Sequence, residues 1–386
     1  MLTHGNSFYF SHMHLYLHIP FCRQACHYCD FHFSTSLKNK RELVEAIARE
    51  IIQRKHYLPG DHLETIYFGG GTPSLLEESE LHLLLDTIHT HFTVDPNAEI
   101  TLEANPDDLT SAKLIQLAAA GINRLSIGIQ SFDPDHLRYL HRVHTATEAD
   151  NCVKMAQDIG IEAISIDLIY AIPAENHLIL ENDIQKAISL NVPHLSAYCL
   201  TIEPQTVFGK WLKNKKILPI EDEFAARQFE LVVQQLGQHG YEQYEISNFA
   251  RNGRYSRHNT AYWQRKPYLG VGPSAHSYNG VSRQYAVSNN AGYLSSSQKG
   301  AIDFTIEQLS AFDQVNEYLL TGLRTKWGCQ LSLLGELSSN LFLKTHQKTI
   351  DSLVQKDWLI SSNDRLLLTA QGKLFADHIT AALFVD

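Results

Sequence analysis

Between about residue 15 and residue 250 the sequence alternates short apolar runs with stretches whose apolar residues recur at helical spacing. The runs predict strands over Leu15–Pro20 (LYLHIP), Thr65–Gly69 (TIYFG), Glu99–Ala104 (EITLEA), Arg124–Gln130 (RLSIGIQ), Ala163–Ile172 (AISIDLIYAI) and His194–Ile202 (HLSAYCLTI). Between them, Leu43, Ile47 and Ile51 make one stripe. Leu81, Leu84, Leu85 and Ile88 make another, and Ala225, Phe229, Val232, Val233 and Leu236 a third. Such stripes cover one face of a helix. Strands alternating with amphipathic helices mean βαβ units and a parallel sheet. Six units are too few to close an eight-stranded barrel. An α/β open, partial (β/α)6 barrel fits better than a doubly wound sheet, which shares the same periodicity.

Three parts follow. Residues 1–250 form the barrel. In 251–305 the alternation stops, and the text, rich in Gly, Asn, Ser, Tyr and His, reads as an irregular segment containing RHNTAYWQRKPYLGVGPSAHSY. Residues 306–386 turn helical again (LSAFDQVNEYLLTGLR, LSLLGEL) and end in WLISSNDRLLLTAQGKLFADHI, a strand, turn, strand and helix. Helices with a small hairpin suggest a winged-helix-like C-terminal domain, a shape that does not by itself imply DNA binding.

Composition narrows the class. At 44% hydrophobic and 19% charged the chain has an ordinary globular make-up, which excludes a disordered or low-complexity protein. Its net charge of −10 has the wrong sign for a non-specific binder of nucleic acid or of an anionic membrane. No run approaches a membrane span, and MLTHGNSFYFSHMH lacks the basic and apolar regions of a signal peptide, so a cytoplasmic protein is expected.

Cysteine placement carries the chemistry. Of six cysteines, Cys22, Cys26 and Cys29 fall within eight residues, while Cys152, Cys199 and Cys329 are scattered. A disulfide-stabilised domain would not leave most of its length bare of cysteines. The triplet follows the first strand, at the sheet edge where active-site loops gather in parallel α/β folds. Two readings stand on spacing alone. One is a zinc site completed by His18, His27 or His32. The other is a [4Fe–4S] cluster with one iron left free of protein ligands, able to bind a small chelating molecule. Gly69-Gly70-Gly71-Thr72-Pro73, after the second strand, removes side chains where backbone could approach a ligand.

LHIPFCRQACHYCDF closely resembles the radical S-adenosylmethionine (SAM) enzymes. The resemblance implies a [4Fe–4S] cluster on Cys22, Cys26 and Cys29, with SAM's amino and carboxylate groups on the open iron. It implies that Gly70, Gly71 and Thr72 receive SAM's methionine end, and that Glu103 in LEANP supplies the carboxylate contacting ribose or amino group. Gln130, Arg142 and Asp167, with Tyr16 and Tyr28, match further SAM positions in the coproporphyrinogen-oxidase-like branch.

That branch holds two groups similar to this chain, the oxygen-independent coproporphyrinogen III oxidases and the HemW-type heme chaperones. The oxidases carry a further Cys two residues after the triplet, where this chain has Phe31, and a long N-terminal extension where 21 residues precede Cys22. His258-Asn259-Thr260-Ala261-Tyr262-Trp263 fits the H-N-x-x-Y-W motif of the chaperones, and YEISNFAR and GVGPSAHSY also resemble that group. A neutral imidazole suits heme iron and aromatic rings suit a porphyrin face. The resemblance therefore implies heme on His258, with His276 a weaker candidate, and delivery to respiratory apoproteins at the membrane's cytoplasmic face. The competing expectations are SAM-dependent decarboxylation of coproporphyrinogen III, and a zinc-stabilised α/β protein whose winged helix binds a partner.

Overall fold

The computed structural model describes residues 13–385. Its first half runs β1 (Met13–Ile19), α1 (Lys40–Arg54), β2 (His62–Gly70), α2 (Glu78–His91), β3 (Thr93–Ala104), α3 (Ser111–Ala119) and β4 (Arg124–Gln130). It continues through α4 (Pro134–Leu140), α5 (Ala146–Asp158), β5 (Ala163–Tyr170), α6 (Leu178–Ser189) and β6 (His194–Cys199). These six strands pair in parallel, in sequence order, as the partial barrel requires.

The strands are more alternating than their apolar look suggests. In β1, Leu15 and Leu17 are fully buried against the helices, whereas His14, Tyr16 and His18 take the other face. Across the register Tyr16 meets Tyr67 and His18 meets Gly69 in β2, while Thr101, Ser126 and Asp167 hold equivalent places in β3, β4 and β5. Side chains two apart share a face, so the outer face is aliphatic and the inner face polar. The aliphatic face and the stripes of α1, α2, α5 and α6 make the main core.

The segment 251–305 is not irregular. After α7 (Val207–Lys213), α8 (Asp222–Gln238), β7 (Glu242–Glu245) and β8 (Asn248–Ala250), it forms α9 (Arg257–Trp263), β9 (Tyr268–Val271), β10 (His276–Tyr278), β11 (Ser282–Ala286) and α10 (Asn290–Gln298). With β12 (Phe304–Gln308) these strands extend the same sheet, β9 lying parallel to β1 on its open side. Strands of three to five residues joined by tight turns show no readable period, which hid them. Leu269, Val271, Tyr293 and Ile302 join the main core, so the barrel unit ends near 308 rather than 250.

From α11 (Ala311–Gly322) the chain builds a second core. It passes through β13 (Cys329–Gln330), α12 (Leu331–Leu337), α13 (Leu341–Gln355), β14 (Leu359–Ser362), β15 (Arg365–Leu368) and α14 (Ala376–Ala382). The three strands form an antiparallel sheet beside the helices, the expected winged-helix-like arrangement. Arg324, just beyond α11, pairs with the buried Glu245 at 3.2 Å and fastens this domain to the barrel. Among the described residues no helix is long and apolar enough to cross a membrane.

Candidate functional site

The cysteine loop leaves β1 at Pro20 and is closed on itself: Ser34 N–H donates to the Pro20 carbonyl (2.8 Å) and Cys22 N–H to that of Ser34 (3.0 Å). Its outer end is held by His27 N–H on the Leu140 carbonyl and by Phe208 N–H on the His27 carbonyl. All three cysteines are half-buried thiols on the wall of one cavity. Thr72 Oγ1 donates to Cys22 Sγ at 3.4 Å, and Arg142 Nη1 to Cys26 Sγ at the same distance. Burial pushes Cys22 up to about 11 and Cys29 up to about 12, so these thiols ionise at neutral pH only with a bound cation.

Three thiols converging on one cavity, two of them receiving hydrogen bonds that favour the thiolate, fit a three-cysteine [4Fe–4S] site. A single tetrahedral zinc needs four ligand atoms about 2.0–2.3 Å from one point. Among the described residues no three His, Cys, Asp or Glu side chains are gathered in that way. His18 is buried under Gly70 with Nε2 on the His32 carbonyl, and His27 has Nδ1 on the Tyr139 carbonyl.

The cavity holds about 560 Å³ at the C-terminal ends of the parallel strands. Tyr28, Gly70, Gly71, Thr72, Glu103, Gln130, Arg142 and Asp167 all line it with the cysteines. Tyr16 does not: its hydroxyl meets His18 Nδ1 at 3.1 Å, one layer below. Gln130 reaches the wall through a register shift in β4 and a left-handed backbone at φ 73°. Further lining residues that the sequence did not single out include Asn105, Ser126, Gly128 and Tyr198. For Ser126, Gly128 and Tyr198 the signal was the two-residue period within RLSIGIQ and HLSAYC, masked by the apolar residues between.

The wall is electrostatically suited to a small cationic zwitterion. Burial raises Glu103 from the ordinary 4.5 to about 7, and raises Asp167, which Ser126 contacts at 3.2 Å. A positive ligand would relieve both. Arg142 offers the complementary charge, with its Nε buried and without a hydrogen-bond partner. The wall thus combines two buried carboxyl groups with the Arg142 guanidinium.

The glycines are constrained by packing as well. Gly70 sits at φ +109°, and a Cβ there would stand 2.7 Å from the His18 ring. A Cβ on Gly71 would meet the Phe21 carbonyl oxygen at 2.7 Å. The Gly70 N–H is already spent on Glu103 Oε2 at 3.1 Å.

The H-N-x-x-Y-W motif lies at the opposite end. Helix α9 closes the barrel floor, its first N–H groups on Glu99: Arg257 N and His258 N donate to the two carboxylate oxygens at 3.0 Å. His258 points up into the barrel and is buried. Its Nδ1 meets Thr65 Oγ1 at 2.6 Å and its Nε2 meets the Tyr262 hydroxyl at 2.9 Å. Burial holds the imidazole well below its usual range, hence neutral. In this conformation neither imidazole nitrogen is open to iron: Thr65 and Tyr262 engage both. The floor position of α9, which the sequence does not announce, buries His258. His276, by contrast, is exposed on β10, its ring 5.0 Å from that of Tyr285. On the outer side of Tyr262, with Trp263, Tyr268, Tyr278, Arg265, Lys266 and Arg283, lies a second cavity of about 200 Å³.

Comparison with known proteins places this geometry. The pattern of the radical SAM superfamily matches residues 16–187. The heme chaperone HemW of Bacillus subtilis (strain 168) is 35% identical over 370 residues, covering 95% of this chain and 98% of its own. HemW of Lactococcus lactis subsp. lactis (strain IL1403) is 32% identical, covering 100% and 99%. Among solved structures, the radical SAM coproporphyrinogen III oxidase of Escherichia coli superposes with a TM-score of 0.84 at 22% identity, over 98% of this chain and 92% of its own, a likeness of fold. On identity and coverage, this chain belongs to the family of the HemW heme chaperones, with a radical SAM domain over residues 16–187.

Proposed function

We propose that this protein is a heme chaperone on a radical SAM scaffold, holding a [4Fe–4S] cluster and SAM at the barrel mouth and passing heme to respiratory apoproteins. The observation that carries the reading is the 35% identity to a HemW protein across 95% of the chain, which takes in α9 and the C-terminal domain as well as the barrel. When bound, the cluster supplies one-electron chemistry toward SAM. Cys22, Cys26 and Cys29 hold it, Glu103, Asp167 and Arg142 orient the zwitterion, and Phe31 stands at the mouth where the oxidases bring another cysteine. Phe31 is 71% exposed, so it offers the mouth an apolar edge rather than a ligand.

Heme ligation by His258 requires that one of its nitrogens be released from Thr65 or Tyr262, with α9 moving out of the floor. The outer cavity beyond Tyr262 is the natural entry, because it combines aromatic walls with the cations Arg265, Lys266 and Arg283 that porphyrin carboxylates favour. Transfer at the cytoplasmic membrane face belongs to the same proposal.

One anaerobically reconstituted preparation tests it. Heme titration should give a saturable Soret band, which His258→Ala weakens or shifts, and SAM with an electron donor should leave coproporphyrinogen III unconverted. Steady decarboxylation would overturn the chaperone reading in favour of the oxidase. An unchanged heme spectrum in His258→Ala would remove His258 and direct attention to His276.

A further inference from the structure

Between floor and mouth the barrel is filled by polar rings. At the floor, the His258 imidazole is held between the Tyr262 hydroxyl (2.9 Å) and Thr65 Oγ1 (2.6 Å). The same Thr65 oxygen meets His14 Nδ1 at 2.9 Å. A threonine hydroxyl has one hydrogen, so it donates to at most one of these imidazoles, and at least one of them carries its proton on Nδ1 and donates to Thr65. Above, the Tyr67 ring lies 4.9 Å from that of His258 at an inclination of 25°. Tyr67 then donates its hydroxyl hydrogen to Glu103 Oε1 at 2.8 Å, and Glu103 stands in the wall of the mouth. Tyr16 closes the side of the column, 6.1 Å from Tyr67 and 6.5 Å from His258. The fit leaves no slack: a Cβ on Gly69 would come within 2.9 Å of both tyrosine rings and 3.2 Å of the Glu103 carboxyl carbon.

We infer that His258 is a positioning residue for the mouth: it fixes the Tyr67 ring, Tyr67 fixes Glu103, and helix α9 and the SAM site move as one unit. The inference rests on reading the mouth as the SAM site and α9 as the heme end. A heme iron that takes one nitrogen of His258 must break the hydrogen bond on that nitrogen and draw the ring away from Tyr67. Glu103 then loses one of its two anchors, keeping the Gly70 N–H, and SAM affinity falls. Linkage makes the effect reciprocal, so SAM seated on Glu103 opposes heme on His258 and favours its release.

The test measures SAM affinity of the cluster-loaded, full-length protein without heme. His258→Ala and Tyr67→Phe should each weaken SAM about three- to tenfold, and the double variant should be no worse than the weaker-binding single one, as for residues acting through one chain. His258→Gln, whose amide can meet Tyr262 or Thr65, should recover part of the loss. Tyr67→Phe keeps the ring and its packing, so it reports on the hydroxyl even if His258→Ala lowers stability. Unchanged affinity in Tyr67→Phe, or losses that multiply in the double variant, would overturn the column. Heme titration of the same wild-type preparation separates the two claims: a flat Soret titration with non-additive variants defeats the heme reading alone, while heme binding with additive variants defeats the column alone.

Discussion

Arg142 points one guanidinium nitrogen at Cys26 Sγ, 3.4 Å away, while its other terminal nitrogen is held by Asn105 Oδ1 at 2.7 Å and the Gly128 carbonyl at 2.6 Å. The residue is thus fixed by neutral acceptors, and its charge is directed at Cys26, a ligand of the proposed cluster. A positive charge beside the thiolate favours the reduced, more negative cluster. Arg142→Gln should therefore move the cluster's reduction potential to more negative values, by on the order of tens of millivolts. Arg142→Lys should keep most of the potential but lose the fork that orders Asn105. A redox titration followed by electron paramagnetic resonance measures both, and an unchanged potential in Arg142→Gln would separate Arg142 from the cluster.

Replacing Cys22, Cys26 or Cys29 by Ala should abolish the roughly 400 nm absorption and most bound iron and sulfide, because each removes one of three ligands. Replacing Cys152 or Cys329 should leave both intact: these thiols are buried in the main and C-terminal cores, where they act as small apolar groups. Full iron content in a single triplet variant would refute the ligand set.

Glu103 makes SAM binding depend on pH. Burial is the largest cause of its rise to about 7; nearby Asp167 adds to it, and the Tyr67 hydroxyl, the Gly70 N–H and Arg124 work against it. The sign follows from which form binds. A cationic ligand prefers the carboxylate, so affinity should rise with pH through 7 and level off above, with pH 6 about tenfold weaker than pH 8. In the ligand-free protein the same raised value costs stability as pH climbs from the ordinary carboxylate range to 7. Glu103→Gln should remove this part of the profile and leave only the titration of SAM's own amino group. Parallel pH profiles for the two proteins, measured by equilibrium binding, would show that Glu103 does not meet the ligand.

What the sequence made legible follows the strength of local signals. Strands such as LYLHIP and RLSIGIQ stand out by their aliphatic residues, and the six parallel strands were read from them. The cysteine spacing and the polar residues at strand ends marked most of the mouth. Hidden were features that depend on which face a residue takes. Tyr67 and Thr65 look like parts of an apolar run, yet the register turns them inward beside Tyr16 and His14. The segment of His258 is polar and rich in Gly, and nothing in it announces the partners of that His, yet Glu99 and Ser256 cap α9 and seat it in the floor. The extension β9 to β12 was lost because its strands are short, and its attachment depends on a charged pair that no apolar pattern announces.

That pair sets the last prediction. Glu50 on α1 is fully buried and bridges Arg54 one turn on at 3.0 Å. Glu50 also accepts from Gly272 N–H (2.8 Å) and from the Tyr293 hydroxyl, while Arg54 donates to the Gly270 carbonyl (2.8 Å), Ser277 Oγ (3.0 Å) and Gln284 Oε1 (3.2 Å). The guanidinium also lies over Phe304, 4.3 Å from the ring centre. Helix α1 thus holds β9, β10, β11, α10 and β12 through one hydrogen-bonded network. Glu50→Ala leaves Arg54 buried beside its remaining neutral acceptors, and should cost about 3–5 kcal/mol. The joint change Glu50→Leu with Arg54→Met removes both charges and should cost less than Glu50→Ala alone, because no uncompensated charge remains. Hydrogen exchange should locate the loss, with faster exchange in β9 to β12 while β3 to β5 keep their protection. Exchange quickening evenly over the whole sheet would mean that the extension and the six-stranded barrel unfold together, and that the buried pair stabilises both rather than fastening one to the other.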